Sequence, residues 1–174
     1  MSTAEGTLTG EHADLLESLT RQRRFLRYTV RDLTDEQAAQ RTTASALCLG
    51  GIIKHVALVE ERWFGFILAG PSAMGRGTDP ASAAAWLDGF RMLPGETLAG
   101  LLERYAEVAG RTDELVASRP DLDATQPLPE APWYKPGETW TVRRVLLHLI
   151  GETAQHAGHA DIIRESLDGA KTMG

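Results

Sequence analysis

The sequence predicts an all-α protein, a bundle of four long helices joined by long crossover connections. Three observations predict it. Apolar residues recur at helical spacing in four separate stretches. The segments between those stretches are rich in glycine, proline and small polar residues. No stretch reads convincingly as a strand, and there is no internal repeat. A chain of 174 residues that is 43% hydrophobic and 24% charged has the balance of a globular protein, excludes global disorder, and is long enough for one domain, 1–174, with a sizeable core.

Residues 1–9 are small and polar and are expected to fray. From Gly10 to Leu33, Leu15, Leu19, Leu26, Val30 and Leu33 form one helical stripe, with Arg21, Arg23, Arg24 and Arg27 spread over its solvated sides. Thr34 and Gln37 have the spacing of a capping box, so a short helix begins there. A second long helix is expected from Gly50 to Leu68, stopped by Gly70-Pro71. Residues 70–95 read as a connection that can hold a short helix near 83–90. A third long helix follows Pro94 on a stripe that includes Leu98, Leu101, Tyr105, Val108 and Val116, and Arg119-Pro120 ends it. Residues 119–138 are dense in proline and charge and read as a crossing loop, because proline removes ladder donors. A fourth long helix runs from Thr141 to Leu167, with Thr139 or Thr141 as its N-cap and Gly169 beyond its end.

The net charge of −6 offers no electrostatic footprint for nucleic acid or for an anionic membrane. Cys48 is the sole cysteine, so no intrachain disulfide can form, and its apolar neighbours suggest a buried structural thiol. No basic-then-apolar leader and no membrane-length apolar window is visible. The expectation is a cytoplasmic protein that meets small molecules, with exposed helix faces that permit a homodimer.

The segment His148-Leu-Ile-Gly-Glu152-Thr-Ala-Gln-His156-Ala-Gly-His159 carries the chemistry. At a helical advance of ~100° per residue, His148, Glu152, His156 and His159 fall within a sector of about 80°. Val145, Leu149 and Ile163 lie on the same side, so this polar stripe enters the core, where it is costly unless paired, hydrogen-bonded or bound to metal. A carboxylate and an imidazole one turn apart can grip one cation. His55 lies on the core face of the second long helix with Ile52, Val59, Trp63 and Phe66, whereas Lys54, Ala57 and Glu61 face away. A lone inward histidine is more often a hydrogen-bonded core residue, and an i, i+4 Glu/His pair is often a salt bridge. Taken together, His55, Glu152 and His156 can meet as two nitrogens and one oxygen. Three protein ligands leave open positions, the arrangement of a catalytic metal site. His148 suits helix packing or a supporting hydrogen bond to a ligand, and His159 suits a pocket residue, a satisfied histidine near the bundle end, or a proton carrier. Trp63 and Trp140 read as core aromatics, with substrate lining as the second reading. No phosphate loop, Cys/His zinc spacing or nucleophile elbow is present.

The pieces DLTDEQAAQRTTASALCLGGIIKHVALVEERWF and VRRVLLHLIGETAQHAGHADIIRESLDG resemble the DinB/YfiT-like family of four-helix metalloproteins. Members of that family usually place a metal-binding His in the second helix and two ligands one turn apart in the fourth. His55 and His156 match the first and last. The middle position, more often His, is Glu152, as in the mycothiol-dependent maleylpyruvate isomerase branch, where a His/Glu/His set holds zinc. His159 stands where relatives commonly carry Gln. The resemblance implies an unusual bundle connectivity. It also implies a divalent metal, with mycothiol, bacillithiol or glutathione as co-substrate of an S-transferase or isomerase. Zinc is the metal expected, and the same donor set suits nickel or iron. Metal-activated water attacking a substrate, or a non-catalytic metal-stabilised bundle that binds a ligand or partner, are the alternatives.

Overall fold

The computed structural model describes residues 10–74, 80–118 and 121–172. Helix α1 spans Glu11–Tyr28, α2 Asp35–Ala39, α3 Leu49–Ala69, α4 Pro80–Asp88, α5 Leu98–Ser118 and α6 Val142–Asp168. A 3-10 turn follows α3 at Gly70–Met74, and two short strands, β1 (Thr125–Pro127) and β2 (Thr139–Thr141), precede α6. The fraying expected over residues 1–9 and the helix end expected at Arg119-Pro120 lie outside the described residues.

The helix ends follow local chemistry. Thr34 and Gln37 form the reciprocal capping box of α2. The Thr141 hydroxyl accepts the Arg144 N–H at 3.0 Å to start α6, and Gly169, at φ +79, ends it in the left-handed conformation that glycine adopts without strain. Helix α1 stops at Tyr28, short of the expected Leu33. The physical reason lies in α6: the Arg164 guanidinium donates to the carbonyls of Thr29 and Arg31, at 2.9 and 2.7 Å, and so satisfies backbone that a longer helix would have paired internally.

The crossing loop contains a strand pair that the sequence reading did not anticipate. β1 and β2 run antiparallel, with Thr125 opposite Thr141, Gln126 opposite Trp140 and Pro127 opposite Thr139. Proline is tolerated because Pro127 sits at the end of the ladder; the next donor, Leu128 N–H, reaches the Glu138 carbonyl at 2.9 Å, and Val142 N–H reaches Ala124 at the other end.

Helix α1 packs chiefly on α6, and α3 packs on both α5 and α6, with a lighter α1–α5 contact. Helices α1 and α3 therefore face each other across a diagonal, as do α5 and α6. The long connections after α1 and after α5 make those diagonal crossings possible. This is an all-α four-helix bundle with long crossover connections, as the sequence predicts. Because α3 touches α2, α5, α6 and the 3-10 turn, it is buried on nearly all sides. Ala57, expected to face away, is buried for that reason.

The interior is divided by a polar layer. On one side lie Leu26, Ile52, Ile53, Val56, Tyr105 and Ile163. On the other lie Leu19, Trp63, Phe66, Val116, Leu146 and Leu149. Between them Arg23 donates to both oxygens of the buried Glu60 and, at 2.8 Å, to Asp113. Thr112 and Thr153 are buried at the same level. Arg23, expected on a solvated face, is only 5% exposed. It follows Leu19 by four residues and precedes Leu26 by three, so it sits on the apolar stripe itself and is held there by two carboxylates. Cys48 is buried, as expected.

Candidate metal centre

Helix α3 brings His55 and α6 brings Glu152 and His156 to one place. The carboxylate oxygen Oε1 of Glu152 lies 3.4 Å from His55 Nε2 and 3.3 Å from His156 Nε2. The potential ligand atoms of the three residues all fall within 4.8 Å of one another. Both imidazoles are buried, whereas the Glu152 side chain keeps 23% of its surface exposed. The cluster thus has closed walls and one open side.

Glycine determines how His55 is walled in. A Cβ on Gly51 would lie 2.0 Å from the Phe90 carbonyl oxygen, and one on Gly50 would strike Met92 Sδ at 2.2 Å. Two glycines in the first turn of α3 therefore let residues 89–92 lie directly on the helix. One turn further on, the Phe90 ring stacks on the His55 ring, centroids 3.9 Å apart, and Trp86 meets it edge-on at 5.4 Å. The sequence reading placed a short helix here but gave neither aromatic a part in the site. The signal was the Trp86/Phe90 pair at i, i+4 in an alanine-rich segment, which a 3.6-residue period puts on one face.

The electrostatics follow from this packing. Hydrogen bonding to His156 and then to His55 holds the Glu152 carboxyl well below the usual carboxylate range, outweighing the effect of its burial. Burial pushes the His55 imidazole below its ordinary value, against the pull of Glu152. The result is an ionised oxygen donor beside a neutral imidazole, the protonation states in which these groups bind metals. In a tetrahedral site with bonds of about 2.1 Å, neighbouring donors lie ~3.4 Å apart, which is the separation of Glu152 Oε1 from each Nε2. Two imidazoles and a carboxylate fit a divalent transition ion.

The remaining sequence candidates surround this cluster. The His159 ring lies 5.4 Å from that of His156, and the Nδ1 atoms of both are buried without a hydrogen-bond partner. His148, one turn before Glu152, is packed edge-on against Trp63 at 4.9 Å and Trp140 at 5.4 Å, and its burial lowers its pKa. Trp63 lies two turns along α3 from His55, buried and stacked on Trp140 at 4.8 Å with an 8° interplanar angle. It belongs to the apolar wall beyond His148.

A family model described as mycothiol-S-transferase matches residues 14–169. Among solved structures, the crystal structure of a conserved protein from Enterococcus faecalis is similar, with a TM-score of 0.69 and 14% identity, covering 94% of this chain and 100% of that one. At that identity the likeness shows the fold. No curated protein matches the chain.

Proposed function

The chain belongs to the mycothiol-S-transferase family, and on that premise we propose that it joins the sulfur of mycothiol to an electrophilic small molecule at a divalent metal, zinc, bound by His55, Glu152 and His156. The observation that carries this reading is the convergence of those three donors, from two helices distant in sequence, with the Glu152 side chain still partly exposed. A bound zinc ion supplies Lewis acidity that lowers the thiol pKa and provides thiolate near neutral pH. In the reaction the S–H bond breaks, the sulfur forms a bond to the electrophilic carbon, and the leaving group departs with its electron pair.

The chain's own residues supply the setting. The Phe90 and Trp86 rings cover one face of His55, keep water from it and fix the imidazole toward Glu152. The Glu152 carboxylate stays ionised and lends the cluster negative charge. His159 offers an unpartnered Nδ1 at which the proton released by the thiol can be held. Trp63, stacked on Trp140 and met edge-on by His148, forms the far wall for substrate. No helix among the described residues is long and apolar enough to cross a membrane, and a cytoplasmic setting is proposed, where a small-thiol pool is kept reduced.

The test is a conjugation assay with a bimane-type electrophile and mycothiol, run beside bacillithiol and glutathione. A mycothiol adduct that forms only with metal-loaded protein supports the reading. Metal-dependent hydrolysis of the electrophile without any thiol requirement overturns it.

A further inference from the structure

Glu60, Glu61 and Arg62 stand consecutively on α3, and the fold sends them to different partners. Glu60 is buried against Arg23. Glu61 accepts from Arg104 at 2.7 Å and from Arg111 at 2.9 Å. Arg62 has neither carboxylate. Among the described arginines that are buried or half-buried, it is the one that holds no acid or carbonyl. Arg23, Arg143 and Arg164 bind acids, and Arg27 and Arg31 bind backbone carbonyls.

The place of that guanidinium matters. It lies over the Trp86 ring, 5.4 Å from the centroid, and the same indole meets His55. Seven residues separate Arg62 from His55, close to two full turns, so both side chains leave α3 on one face about 10 Å apart along the axis. The indole holds the guanidinium in position without neutralising it. A half-buried cation with no counter-charge among the described residues is costly to keep, and a planar, always-charged fork is the side chain suited to a carboxylate.

We propose that Arg62 is the specificity-determining residue of the site: it takes the carboxylate of an electrophile whose reactive carbon points to His55, Glu152 and His156. This rests on the transferase reading and deepens it, replacing "electrophilic small molecule" by an anionic one. For a chloromethyl substrate the balance is simple. The thiol S–H and the C–Cl bonds break, the S–C bond forms, chloride leaves with the electron pair, and the proton passes to solvent. The carboxylate on Arg62 is unchanged throughout.

The experiment pairs para-(chloromethyl)benzoate with para-(chloromethyl)benzamide, mycothiol as thiol, on metal-loaded parent, R62Q and R62K proteins. The ratio of kcat/KM, anionic over neutral, falls about tenfold in R62Q, chiefly through KM, and is partly retained in R62K, which keeps the charge. A second readout needs no turnover: by calorimetry the parent binds para-toluate more tightly than para-toluamide, and R62Q loses that preference. Metal content and melting temperature of R62Q report a merely structural role. An R62Q ratio equal to the parent's, or toluate binding that R62Q does not weaken, overturns the proposal. If neither electrophile is turned over in a thiol-dependent way while R62Q still abolishes the toluate preference, the transferase reading fails and the anion site stands.

Discussion

Replacing Arg23 by methionine strands the carboxylate of Glu60, 1% exposed, in the polar layer at mid-bundle with no cation beside it. Breaking a buried ion pair in this way costs about 3–5 kcal/mol, because the charge left behind has lost both water and partner. In a domain of this size each kcal/mol moves the melting temperature by about 2–4 °C, so R23M should melt roughly 6–20 °C lower. The reverse truncation is milder. In E60Q, Arg23 keeps Asp113 at 2.8 Å and the amide oxygen can still accept, so a loss of about 1–3 kcal/mol is expected. The double variant R23M/E60L removes both charges and fills the space with apolar atoms, and should cost less than R23M alone. Thermal and urea unfolding followed by far-UV circular dichroism measure all three. An R23M protein no less stable than E60Q, or a double variant worse than R23M, would refute the reasoning.

Three further perturbations probe other parts of the account. Gly51→Ala drives a Cβ into the Phe90 carbonyl; it should cost about 1–3 kcal/mol and, by lifting Phe90 from His55, weaken retention of metal in a chelator competition. Thr141→Ala removes the hydroxyl that caps α6, for a loss of about 1 kcal/mol and a melting temperature lower by about 2–4 °C. Hydrogen bonds from Arg111 and Arg104 hold the Glu61 carboxyl below its ordinary value of 4.5 despite partial burial. A carboxyl depressed in the folded state stabilises the fold fully above its unfolded value and ceases to do so as pH falls through the folded one. Parent stability should therefore drop on acidification below about pH 4.5, and Glu61→Gln should flatten that drop.

The main features of the fold were legible because helices announce themselves by period. The stripe of Leu15, Leu19 and Leu26, the Thr34/Gln37 box and the Thr141 and Gly169 boundaries of α6 are all local signals. The convergence of His55 with Glu152 and His156 was legible for a related reason: polar residues at four-residue spacing on an apolar face must find one another or some other partner. What escaped was set by tertiary contact. Arg23 looked like one of several solvated arginines, and only the carboxylates arriving from α3 and α5 make its burial possible. Phe90 reaches His55 because Gly50 and Gly51 admit a distant backbone; the i, i+4 spacing of Trp86 and Phe90 marks a shared face but not what that face meets. The β1–β2 pair was masked by its prolines, which fall where the ladder does not need their N–H. Arg62 gained meaning only once Glu60 and Glu61 were seen to be occupied elsewhere.

The central claim is that His55, Glu152 and His156 together hold one metal ion. Elemental analysis of untagged protein, run on the parent and on His156→Ala with folding checked by circular dichroism, tests it most directly. The account predicts about one equivalent of a divalent transition metal in the parent, zinc foremost, and a folded His156→Ala protein that has lost it. A folded parent without metal after growth and purification in its presence, or a His156→Ala variant that keeps a full equivalent, would contradict it.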